Sequence, residues 1–201
     1  MTAKIADRDL ESRIIARLEE TAARGDNRDD DSRYHKYEYQ SLGMRAPDFY
    51  AVMKEFRPEI KALPPAIAKR VAENMMKRHV EEITQAGISV LATSRAIGPG
   101  DIAYLDKLGE HLSSWSTVDS FAPSILHKLL EEHPAKVLPL IRKWNKSKNM
   151  WKQRASVVAF TRKASASGKY TGELLKLCEN LINTKEDLVQ KGIGWAEYVL
   201  R

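Results

Sequence analysis

In Ser114-Trp115-Ser116-Thr117-Val118-Asp119 an indole and a carboxylate stand four residues apart, so on a helix they share one face. A carboxylate beside an electron-rich ring suits a cationic reaction centre. The carboxylate attracts positive charge directly, and an indole face adds about 0.5 to 2 kcal/mol. A cap at Ser116 or Thr117 puts Asp119 in the first turn, where the helix dipole favours an ionised carboxylate. The same residues also read as a core tryptophan beside a capping acid. A second cluster, Asn149-Met150-Trp151-Lys152-Gln153-Arg154-Ala155, sets Arg154 three residues after Trp151, where a guanidinium fork can grip phosphate. A third, Gln190-Lys191-Gly192-Ile193-Gly194-Trp195, holds two glycines inside a helical pattern. Each costs about 1 kcal/mol against alanine, which points to close packing or a close partner.

Charge supplies a partner class. The net +6 is concentrated at the C-terminal end, where residues 141–201 hold 13 Lys/Arg against 5 Asp/Glu. From His133 to Gly172 there is no acidic residue, yet Lys136, Arg142, Lys143, Lys146, Lys148, Lys152, Arg154, Arg162, Lys163 and Lys169 fall there. Ten cations without an interspersed carboxylate repel one another, and the pattern is that of a polyanion-binding face. A solvated basic face with no partner is the alternative. Lys148, Lys152 and Lys191 join Arg154 as candidate contacts to a nucleic acid or other polyphosphate.

The elements that must position these residues are helical. Leu10, Ile14, Leu18 and Ala22 recur at helical spacing, as do Ile125, Leu129 and Leu130, and Leu174, Leu177 and Leu181. The stretch from Gly25 to Asp31 breaks the first helix, Asp31 or Ser32 caps a second, Gly43 ends it, and Pro47 opens another. Leu63-Pro64-Pro65, Gly98-Pro99-Gly100, His133-Pro134 and Ser167-Gly168 punctuate the rest, leaving roughly ten or eleven helices. Short helices joined by short turns form antiparallel pairs. Stacked pairs give an all-α, HEAT-like α-solenoid, here a single domain over 1–201 whose concave face can hold a duplex.

No window is apolar enough for a membrane span and the first residues carry no signal-peptide core, so the expectation is a cytoplasmic protein. The lone Cys178 occupies an apolar helical position and reads as a packed small residue. The five histidines have no metal-ligand spacing and the carboxylates of the basic region are unpaired, which disfavours a metal-dependent nuclease.

Arg33-Tyr34-His35-Lys36, Leu42-Gly43-Met44-Arg45-Ala46-Pro47, Trp115-Ser116-Thr117-Val118-Asp119-Ser120, Trp151-Lys152-Gln153-Arg154-Ala155 and Gln190-Lys191-Gly192-Ile193-Gly194-Trp195 together resemble the AlkD-type DNA glycosylases over residues 8–196. The resemblance implies a HEAT-like solenoid around duplex DNA and excision of cationic N3- or N7-alkylated purines. It implies Asp119 as catalytic carboxylate, Trp115 and Trp195 as cleft aromatics, Arg154 as a backbone-gripping arginine and Tyr34 as a further DNA contact. It also implies a monomer without metal or cofactor that reads the lesion from the backbone side. The chain departs from the family at Ser116, where an acid is usual. It departs again after Trp195, where the expected arginine and the C-terminal capping helices are lacking. Two other readings are a DNA-binding HEAT protein without catalysis, indifferent to Asp119, and a protein-binding HEAT scaffold.

Overall fold

Leu10, Ile14 and Leu18 line one side of the first helix, and in the computed structural model all three are buried. The structure describes residues 2–25, 40–161 and 168–198, with side chains from residue 9 to residue 196. Tyr34, the motif around it, the helix expected from Asp31 or Ser32, and Arg162 and Lys163 lie outside the described residues. The order is α1 (Thr2–Arg24), α2 (Ala46–Ala62), α3 (Pro65–Met76), α4 (Glu81–Ser94), α5 (Ile102–Leu108), α6 (Trp115–Phe121), α7 (His127–Glu132), α8 (Pro134–Asn145), α9 (Met150–Val158), α10 (Thr171–Leu181) and α11 (Asp187–Tyr198). A 3₁₀ turn, Gly109–His111, follows α5, and a wide π-turn, Ala122–Leu126, joins α6 to α7. The described residues contain no strand; Gln40 and Val80 form an isolated bridge. The chain is all-α; Gly25, Pro47, Pro64-Pro65, Gly98-Pro99-Gly100 and Pro134 fall at helix ends as expected, whereas the breaks after α3, α8 and α10 contain neither proline nor glycine.

The chain divides into two compact units, Met1–Ile97 and Gly98–Arg201. In the first, α1 packs on α2, α3 and α4, and α3 packs along α4. The seam is built from Ile14, Leu18, Val52, Ile60, Val71, Met75 and Leu91, all buried. Gly87 on α4 permits the closest approach, since a β-carbon there would lie 2.8 Å from the Ala72 carbonyl oxygen and 3.1 Å from Met76 Cγ. The Leu42–Pro47 motif is held at the same helix. Glu82, buried at the start of α4, accepts hydrogen bonds from Ser41 Oγ (2.9 Å), Leu42 N (2.8 Å) and Met44 N (3.0 Å). Gly43 supplies the left-handed turn (φ 74°) between the two amides.

In the second unit α9 packs against α6, α8, α10 and α11, while α8 also touches α5 and α10. The helices thus form two rows, α6-α9-α11 and α5-α8-α10. Leu129, Leu130, Leu174, Leu177 and Leu181 face the interior, and Cys178 is packed among them.

Gly87→Ala is expected to lower stability by about 1–3 kcal/mol through overpacking against backbone, despite alanine's intrinsic helix advantage of about 1 kcal/mol. The midpoint of urea unfolding checks it. An unchanged midpoint would mean that α3 and α4 separate without cost.

Candidate active site

Helix α6 begins two residues earlier than a Ser116 cap requires and three earlier than a Thr117 cap requires. Ser114 is the cap: its Oγ accepts from Thr117 N at 3.1 Å, and the Thr117 hydroxyl returns the bond by accepting from Ser114 N at 3.2 Å. This reciprocal box places Trp115 at the first helical position and Asp119 in the second turn. The helix dipole therefore does not govern Asp119, because its influence fades beyond the first turn. A cation from another helix takes its place.

That cation is Arg154. Arg154 Nε donates to Asp119 Oδ1 at 2.9 Å and its Nη2 to Oδ2 at 2.8 Å, a bidentate fork. Its Nη1 donates to the backbone carbonyl of Leu188 on α11. The Arg154 residue is 6% exposed, whereas the Asp119 side chain remains 19% exposed. One guanidinium thus joins α6, α9 and α11, and the carboxylate it holds still reaches the surface. Gly192 makes the third contact possible, because a β-carbon there would stand 3.3 Å from Arg154 Cγ and 3.5 Å from Nη1. Gly194 has open space instead, with nothing within 4 Å of where a β-carbon would be. Trp115, one turn before Asp119, and Trp195, three residues beyond Gly192, are both partly exposed.

Arg154, expected to offer its fork to phosphate, is buried with that fork on Asp119. Lys152 is corrected more strongly. It is 4% exposed and lies on another side of α9. Its Nζ reaches Asp106 Oδ1 at 3.2 Å and Glu110 Oε1 at 2.5 Å, and it sits 5.5 Å from the Trp144 ring centroid. Asp106 also accepts from Lys143 Nζ at 2.6 Å and Trp144 Nε1 at 2.7 Å. Burial pushes the Asp106 carboxyl upward, but the hydrogen bonds from Lys143, Trp144 and Lys152 outweigh it and hold its pKa at about 2. The hydrogen bond from Lys152 likewise keeps Glu110 below the usual carboxylate range.

The acid-free stretch is therefore less bare than its sequence implies. Arg142 is forked onto Glu173 at 2.7 Å through both Nε and Nη2, and Lys143, Lys152 and Arg154 are paired as above. Each acid comes from outside the stretch. Lys136, Lys146 and Lys148 stay exposed. Lys191 is exposed and lies 3.1 Å from Asp187 on its own helix. Residues absent from the sequence reading include Asp106, Glu110 and the Leu188 carbonyl. Only Ser114 had a local signal, the Ser-x-x-Thr spacing of a capping box. No group of three or more metal-ligating side chains is assembled among the described residues, and no helix among them is long and apolar enough to cross a membrane.

Two outcomes follow. Gly192→Val should cost about 1–3 kcal/mol by crowding Arg154, while Gly194→Ala should be neutral or stabilising by up to about 1 kcal/mol; chemical denaturation of both variants separates a packed glycine from an open one. Asp106, with its pKa lowered on folding, contributes stability that is present above about pH 4 and lost as pH falls toward 2. Asp106→Asn should therefore be destabilised at pH 7 by on the order of 2 kcal/mol, with the difference from wild type closing in acid. A pH-independent difference in unfolding free energy would remove this linkage.

The arrangement has relatives. A model of the family described as "DNA alkylation repair enzyme" matches residues 14–196. Among solved structures, one described as a predicted DNA alkylation repair enzyme from Enterococcus faecalis superposes with a TM-score of 0.72 at 19% identity, covering 90% of this chain and 81% of that one. At that identity the likeness is one of fold. A search of curated proteins finds no significant match. Since the family match spans nearly the whole chain, including α6, α9 and the part of α11 that carries Trp195, the chain belongs to the DNA alkylation repair enzyme family.

Proposed function

We propose that this protein is a monofunctional DNA glycosylase of the AlkD type, which removes positively charged N3- and N7-alkylated purines from duplex DNA. The observation that carries the reading is the Asp119 carboxylate, clasped by Arg154 where α6, α9 and α11 meet and still open to the surface. The α6-α9-α11 row, HEAT-like in this reading, is the side that faces the duplex.

A cationic alkylpurine needs no protein acid to leave. As the N-glycosidic bond breaks, its electron pair returns to the ring and neutralises the base, leaving positive charge on the sugar. Water then adds its oxygen to the sugar carbon and gives up a proton to the Asp119 carboxylate, which passes it to solvent. A bare carboxylate about 4 Å from the sugar would contribute about 4 kcal/mol at an effective dielectric near 20. Arg154 at hydrogen-bond distance offsets a share of that attraction. What it provides in return is orientation: both Asp119 oxygens are fixed by the Arg154 fork, and the exposed part of the carboxylate is held in one place for the sugar and the attacking water. Trp115 and Trp195 supply ring faces for the cationic base and sugar. Neutral adducts gain nothing from either, hence the selectivity.

Arg154 has three of its five donors committed inside the protein, so its role in this reading is to hold Asp119. Phosphate contacts fall to exposed lysines, Lys148 and Lys191 among them, with Tyr34 as a further contact. The partial neutralisation of Asp119 is also the one feature that favours the second reading, DNA binding without catalysis.

Incubating methylated duplex DNA with wild type and with Asp119→Asn, and measuring free alkylpurine, tests the chemistry. Release by wild type that falls by about a hundredfold or more in the variant, with duplex affinity kept, supports the glycosylase. Equal release would remove Asp119 from the reaction. Release by neither protein, with salt-dependent binding by both, would leave the second reading. Lys148→Ala should lower the slope of log affinity against log salt by about 0.9, and an unchanged slope would exclude that lysine from the phosphate contacts.

A further inference from the structure

The helix that carries Asp119 does not run on evenly. Between α6 and α7 the chain forms the wide turn Ala122–Leu126, with Pro123 inside it. The amide of His127 donates to Ala122 O, five residues back rather than four. Pro123 stands four residues after Asp119, so in a regular helix it would have to donate an N–H to the Asp119 carbonyl, and proline has none. The next carbonyl, that of Ser120, is taken by the hydroxyl of Ser124. The break in the ladder thus falls directly beneath the residue placed at the centre of the chemistry. Wide turns of this kind insert one residue into an α-helix and recur at functional sites.

Both flanks of the turn are locked. Val118 and Phe121 before it, and Ile125, Leu126, Leu129 and Leu130 after it, are buried. An inserted residue changes the phase between the two flanks by about 100°. Without it, α6 and α7 could not both keep these faces inward and also present Asp119 to the Arg154 fork.

Building on the glycosylase reading above, we infer that Pro123 is a positioning residue: by denying the Asp119 carbonyl its α-helical partner it enforces the wide turn, which sets the rotation of α6 and aims the Asp119 carboxylate at Arg154 and the reacting sugar. Pro123 touches no substrate.

The test is Pro123→Ala in the full chain. Helix content by circular dichroism should be kept, since the alanine restores a backbone donor. The turnover number for alkylpurine release from methylated duplex should fall at least tenfold, while KM and affinity for undamaged duplex stay within about twofold. In NMR spectra the Arg154 Nε–H, hydrogen-bonded to Asp119 in the wild type, should shift and exchange faster with solvent. Unchanged turnover and an unchanged Arg154 signal would overturn the inference. So would a loss of turnover with the Arg154 signal unmoved, which would mean that Pro123 acts other than through the Asp119 fork. If the wild type releases no alkylpurine, the glycosylase reading fails by itself, and the Arg154 resonance still decides whether Pro123 sets the Asp119 geometry.

Discussion

A guanidinium cannot be buried inside a helical layer unless its charge and its donors are answered, since stripping it of water costs several kcal/mol. Arg154 meets that condition by taking a carboxylate from one neighbouring helix and a backbone carbonyl from the other. The arrangement of α6, α9 and α11 follows from it. Asp119 must face inward to supply the acid, α11 must come close enough for Leu188 to supply the carbonyl, and Gly192 must lack a side chain for that approach to occur. Removing either partner would leave a buried charge uncompensated, which is far costlier than the loss of one hydrogen bond.

Helix α9 carries a second buried cation, and the two divide its surface. Lys152 ties it to the turn after α5 and to Trp144 of α8, whereas Arg154 ties it to α6 and α11. A segment reading Met-Trp-Lys-Gln-Arg-Ala-Ser-Val-Val has a weak apolar stripe. It is nevertheless central to its unit because ion pairs, rather than a continuous hydrophobic face, fix its rotation. Ion pairs are directional where apolar contacts are not, and a site that must hold a carboxylate in one orientation benefits from that property.

The same geometry changes how the chemistry is understood. A lone carboxylate would act by charge. A carboxylate forked by arginine acts by placement, with part of its charge already cancelled. In the glycosylase proposed here, this suits a substrate that brings its own positive charge and leaves readily, for which aligning water and steadying the sugar count for more than raw electrostatic attraction. The α6-α9-α11 row of this chain carries one carboxylate, two partly exposed indoles and a holding arginine.

Much of this was legible in the residues alone. Spacing of Leu, Ile and Ala marked the helices and their buried faces, and Pro and Gly marked several of their ends, because helix periodicity and backbone stereochemistry are local properties of the chain. The motifs containing Trp115, Asp119, Arg154 and Trp195 were also visible. Their relation was not. Nothing local distinguishes a buried, carboxylate-bound Arg154 from a solvated one, or Lys152 from Lys148 four residues earlier, since burial depends on which helices pack around α9. The apparent run of ten unopposed cations was misleading for the same reason: Asp106, Glu110, Asp119 and Glu173 are distant in sequence and become neighbours only when the helices stack. Composition and periodicity determined an all-helical chain with a basic C-terminal region. Tertiary packing alone decided which of its charges stay free, because charge compensation acts through space and not along the chain.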